Sequence, residues 1–143
     1  MVNRDTIHAK VREIHSRVER VRHHCPPDVA SLAADQDTQD LVAFNLFLAV
    51  QAAVDVATHI VADERWAGVD SMAEHFRRLE EHGVLSEKTA AALARAVGLR
   101  NAVAHGYAST DVTLLYRAAT DGLADLEDFA RQVSRWMEKQ GSA

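Results

Sequence analysis

Cysteine is nearly absent: Cys25 is the only one in 143 residues, so no internal disulfide can staple the chain and no four-cysteine metal site can form. Proline is almost as scarce. Pro26 and Pro27 stand side by side, and there are only six glycines, whereas a multi-strand sandwich or barrel needs turn chemistry about every 8–12 residues. No unbroken apolar run reaches the ~18 residues of a membrane span. The N-terminal stretch MVNRDTIHAKVR lacks the apolar core of a signal peptide. A soluble, cytoplasmic, membrane-free protein is therefore the expectation. Aromatics are few as well, four Phe, two Trp and two Tyr, which argues against sequence readout by an RNA-stacking platform.

What remains is the composition of an ordinary globular chain, with 48% hydrophobic and 26% charged residues. The length is that of one domain, taken as 1–143. The formal charge of −5 is unevenly spread. Residues 1–25 carry Arg4, Lys10, Arg12, Arg17, Arg20 and Arg22 against Asp5, Glu13 and Glu19, a local excess of positive charge. The rest of the chain is acidic, which is a poor starting point for a polyanion binder, yet a local basic face remains open alongside a plain solvated helix face.

Apolar residues recur at helical spacing throughout. Ile7, Val11, Ile14, Val18 and Val21 form a single stripe that predicts a helix over about 4–23, ended by the two prolines. Residues 28–37 read as a connector. A second helix is expected from Asp37 or Thr38, as cap, to about Asp63. It is apolar on nearly every side, and so is the central one. Ser71 and Glu74 form a capping-box pattern opening a third helix that Gly83 closes. Ser86 caps a fourth, alanine-rich helix ending near Gly106, and Asp111 caps a fifth that buries Leu115, Ala119, Leu126, Val133 and Trp136. The fold class is all-α, a compact four- to five-helix bundle.

Most of the polar chemistry gathers in Arg100-Asn101-Ala102-Val103-Ala104-His105-Gly106-Tyr107. Asn101 and His105, four apart, share a helix face, so the amide can fix the imidazole tautomer. Arg100 and Tyr107 share another if the helix continues that far. Arg100 and His105 lie about 140° apart on an ideal helix. They meet on one ligand only if the helix unwinds at Gly106 or a second subunit supplies one of them, which is a reason to expect a homodimer. From spacing alone, capping and interface polar residues are the simpler reading.

The run R-N-A-V-A-H-G-Y resembles the R-x4-H-x-Y signature of HEPN-domain toxins of the HepT type. The central LAVQAAVDVATHIVA and the RNAVAHGYASTDVTLLYRAATDGL block extend the likeness over most of the chain. The resemblance implies the toxin of a toxin–antitoxin system, a homodimeric, metal-independent endoribonuclease with no cofactor. It further implies His105 as acid–base residue, Arg100 as the phosphate-binding charge, and Asn101 in support. The implied partner is a minimal nucleotidyltransferase antitoxin of the MntA type that silences the toxin by moving AMP from ATP to Tyr107. A non-catalytic HEPN scaffold for a nucleotidyltransferase is the alternative. Such a module would be expected to have lost Arg100 or His105.

Candidate RNA contacts are Arg12, Arg17, Arg20 and Arg22 on the first helix, with Arg95 and Arg117 near the motif. Asp55 and His59 are expected to form a structural polar pair on the central helix or to support the cleft from behind. His23-His24-Cys25 fits no zinc spacing and reads as a helix end. His75 and His82 read as exposed, and Cys25 as inert.

Overall fold

The computed structural model describes residues 3–67, 69–106 and 111–141. Six helices follow one another: α1 (Arg4–His24), α2 (Val29–Ala33), α3 (Gln36–Glu64), α4 (Met72–Glu81), α5 (Glu87–Ala104) and α6 (Val112–Gly141), with no strand among the described residues. The five expected helices are all there. The additional one, α2, is a single helical turn in the connector. It forms because Asp28 caps it by accepting from Ser31 N at 2.7 Å, and because Gln39 Nε2 donates to the carbonyls of Leu32 and Ala33 at 3.0 and 3.1 Å, closing its other end.

Helix ends follow side-chain chemistry. Asp35, not Asp37 or Thr38, caps α3, its carboxylate accepting from Thr38 N at 3.1 Å. Ser71 accepts from Glu74 N at 3.3 Å, and Glu74 reaches back to Asp70 N, so the capping box is displaced by one residue at its return bond. At the far end of α4, Gly83 (φ 78°) supports a Schellman turn in which Val84 N donates to Leu79 O at 2.8 Å. The same turn ends α3, with Trp66 N donating to Val61 O at 3.0 Å, but there the left-handed position belongs to Arg65 (φ 60°). Ser86 and Asp111 accept from the backbone N–H groups of Thr89 and Leu114, capping α5 and α6 as expected.

α3 is the axis of the bundle. It packs against α1, α2, α4, α5 and α6, and its alanines Ala49, Ala52, Ala53 and Ala57 are all buried, which lets neighbouring helices approach closely. Its most apolar 18-residue window reaches a mean hydropathy of 1.8, enough by length and composition to cross a membrane, and 56% of that window is buried inside the bundle. The stripe of α1 is buried throughout, as are Leu115, Ala119, Leu126, Val133 and Trp136 on α6. Phe76 of α4 meets Phe129 of α6 edge-on at 5.7 Å.

Candidate functional site

α5 runs regularly to Ala104 and stops because Gly106 adopts φ 78°, with Gly106 N donating to Val103 O at 3.1 Å. His105 is the cap residue (φ −96°, ψ 5°), and its backbone N–H donates to Asn101 O at 3.0 Å. Its side chain is exposed at the helix end. Because the helix holds through Ala104, the angular divergence between Arg100 and His105 is preserved.

Arg100 turns toward α3. Its Nε donates to Gln51 Oε1 at 2.9 Å, its Nη1 donates to Asn101 Oδ1 at 3.1 Å, and its guanidinium carbon lies 5.1 Å from the centre of the Phe47 ring. Gln51 Nε2 in turn donates to Asp55 Oδ1 at 2.8 Å. Asp55 Oδ2 stands 3.4 Å from Lys10 Nζ of α1, which also approaches Glu13 at 3.8 Å. A continuous polar row therefore joins α5, α3 and α1.

The Asn101 amide oxygen accepts from Arg100, its neighbour in sequence, and one expected pairing is replaced. Asp55 pairs with Gln51 and Lys10 rather than with His59. His59 Nε2 instead lies 3.1 Å from Asp63 Oδ2, close but not aligned as a hydrogen bond. Both choices for His59 are one helical turn away, and Lys10 draws Asp55 to the other side. Gln51 and Phe47 were not singled out in the sequence. The only local signal was the Gln51–Asp55 spacing of four.

The basic residues of α1 do not form one face. Arg17 reaches α3, donating to Asn45 Oδ1 at 3.1 Å. Arg22 turns the opposite way to Glu127 of α6 at 2.8 Å and is also held by Glu19. The hydrogen bond to Glu127 and the charges of both carboxylates push the Arg22 guanidinium further toward its charged form. Arg12 and Arg20 are exposed. Arg95 and Arg117 line an open groove of about 640 Å³ between α3, α5 and α6, together with Leu99, Leu114, Asp121 and Asp125.

Tyr107 lies outside the described residues. His75 is half-buried and bonds Ser71 O through Nδ1 at 2.8 Å, and exposed His82 stacks on Trp66. Cys25 is half-buried, and burial raises its thiol pKa. Among the described residues no three His, Cys, Asp or Glu side chains gather as metal ligands would.

Comparison with known proteins identifies the family and the fold. The mRNA nuclease HepT of Shewanella oneidensis is 26% identical over 125 residues, covering 87% of this chain and 93% of that one. A Shewanella oneidensis HEPN toxin, tri-AMPylated and in complex with its MNT antitoxin, superposes with a TM-score of 0.85 at 24% identity, covering 93% of this chain and 99% of that one. The cytosolic protein YutE of Bacillus subtilis, of unknown function, superposes with a TM-score of 0.83 at 16% identity, over 97% of this chain and 93% of that one. At such identities the two structures establish the helical fold. The family model for "Ribonuclease HepT-like" proteins matches residues 14–133, most of the chain, and the chain therefore belongs to the ribonuclease HepT-like family, whose activity is that of an endoribonuclease.

Proposed function

We propose that this protein is the toxin of a toxin–antitoxin pair, a metal-independent endoribonuclease of the cytoplasm whose site is built on Arg100 and His105. The carrying observation is the position of Arg100. Its guanidinium is fixed by Gln51 and Phe47 of α3 and by Asn101, five residues before the exposed His105 at the helix end.

The chemistry assigned to the pair is transesterification. Neutral His105 accepts the proton of a ribose 2′-OH, the O2′–P bond forms, and the P–O5′ bond breaks as the leaving oxygen is protonated. Negative charge on the phosphoryl oxygens is met by the Arg100 guanidinium. The products are a 2′,3′-cyclic phosphate and a 5′-OH end, and neither proton transfer requires a metal. Since Arg100 and His105 diverge on one helix, the reading includes a homodimer in which two motif copies share a cleft and the second imidazole supplies the acid. The groove between α5 and α6 supports that assembly. Leu114 at its rim is 55% exposed, and the groove carries charges of both signs, Arg95 on α5 and Arg117, Asp121 and Asp125 on α6, which can pair across a two-fold contact.

Silencing is assigned to Tyr107, two residues beyond His105. AMP transferred there by a minimal nucleotidyltransferase of the MntA type would bring bulk and negative charge to the cleft and compete with RNA for Arg100. The tri-AMPylated relative supports this assignment.

The deciding experiment is RNA cleavage by the purified protein in EDTA, beside Arg100→Ala and His105→Ala. Cleavage by the wild type that is lost in both variants is expected. No cleavage by wild type whose mass shows no AMP would favour a non-catalytic scaffold for the nucleotidyltransferase. Co-expression with the partner should add AMP to the wild type and none to Tyr107→Phe.

A further inference from the structure

We infer that Gln51 is a positioning residue for Arg100, held in register by Asp55 and Lys10. The inference rests on the ribonuclease reading of Arg100 and goes beyond it by naming what aims the guanidinium.

The two ends of the Gln51 amide do different work. Gln51 donates its NH2 to the acceptor oxygen Asp55 Oδ1 at 2.8 Å. That leaves the carbonyl oxygen directed at Arg100 Nε, 2.9 Å away. Lys10, 3.4 Å from the other Asp55 oxygen, pairs with the carboxylate and holds it in place. The row therefore has a polarity: cation on α1, carboxylate and amide on α3, guanidinium on α5.

The choice of an amide matters for the chemistry. A carboxylate at position 51 would also accept from Nε, but it would neutralise the guanidinium and weaken its hold on a phosphate. A neutral carbonyl orients the guanidinium and leaves its charge available. The Phe47 ring, 5.1 Å from the guanidinium carbon, and Asn101 at Nη1 restrict the remaining freedom of the group. Arginine otherwise carries large rotamer entropy, and presenting it already ordered favours the transition state over loose binding.

The test uses the full-length protein freed of AMP, assayed for RNA cleavage in EDTA. Gln51→Leu keeps the volume and removes both hydrogen bonds. It is expected to lower kcat about 10–100-fold, the usual cost of losing an orienting partner, with KM and thermal midpoint little changed. The paired swap Gln51→Glu with Asp55→Asn reverses donor and acceptor between the two positions while keeping an acceptor for Arg100 Nε. It is expected to restore the ordering of Arg100, with partial recovery of kcat. An independent readout is the Arg100 Nε–H resonance, protected from solvent exchange in the wild type and in the swap and exposed in Gln51→Leu.

Loss of cleavage in Arg100→Ala, with unchanged kcat and an equally protected Nε–H in Gln51→Leu, would overturn the positioning role and leave the ribonuclease reading intact. Cleavage indifferent to Arg100→Ala would overturn both.

Discussion

Trp66 and His82 stack face to face, their rings 3.9 Å apart and 2° from parallel. Trp66 also meets Trp136 at 6.3 Å in an edge contact. One indole thereby joins the end of α3, the end of α4 and the last turns of α6. Trp66→Ala should cost about 1–3 kcal/mol, less than a fully buried tryptophan because this one is half-exposed. A lowered denaturant midpoint with unchanged slope in urea checks it, and an unmoved midpoint would refute the clasp.

Arg65 occupies the left-handed position that glycine usually takes at a helix end. Arg65→Gly relieves the Cβ penalty at some cost in unfolded-chain entropy, for a net gain on the order of 0.5 kcal/mol. Arg65→Val, β-branched, should lose more than that. Thermal midpoints of the two variants should move in opposite directions.

Asp28 and Asp35 each accept a backbone N–H, from Ser31 and Thr38, and those bonds hold both carboxyl groups below the usual carboxylate range. A lowered folded-state pKa means the native state favours the ionised form. The contribution is complete above the ordinary value near 4 and fades as pH falls through the lower folded value. Stability should therefore decline below about pH 4. In Asp35→Asn, which can still cap but does not titrate, that decline should be shallower. An acid titration followed by circular dichroism at 222 nm would decide it, identical curves counting against the cap.

Arg12 and Arg20 are exposed, whereas Arg22 is engaged by Glu19 and Glu127. If α1 contacts phosphates, Arg12→Ala and Arg20→Ala should each reduce the salt slope of RNA binding by about 1, and Arg22→Ala by less. Binding isotherms over a salt series measure this directly. Equal effects from all three would show that the Arg22 carboxylate contacts yield to RNA.

What could be read from the sequence was whatever local spacing controls. The α1 stripe, the Ser86 and Asp111 caps and the glycine stops at Gly83 and Gly106 needed only neighbours three or four residues away. The start of α3 moved to Asp35 because a carboxylate three residues before Thr38 outcompetes the later candidates. The α3 partners of Arg100, Gln51 and Phe47, were beyond that reach. Gln51 is 49 residues distant and meets Arg100 only once α5 has packed on α3. His59 had acids one turn away on both sides, and only the position of α1, through Lys10, decides between them.

The central place of α3 has a consequence for synthesis on the ribosome. This 29-residue apolar helix emerges early, when α1 and α2 are the only partners already made. At about 5–20 residues per second, α4 to α6 follow over a period on the order of ten seconds. During that interval the faces destined for α4, α5 and α6 are covered one after another, the α6 face last, and nascent chains of this protein should engage chaperones until α6 has packed.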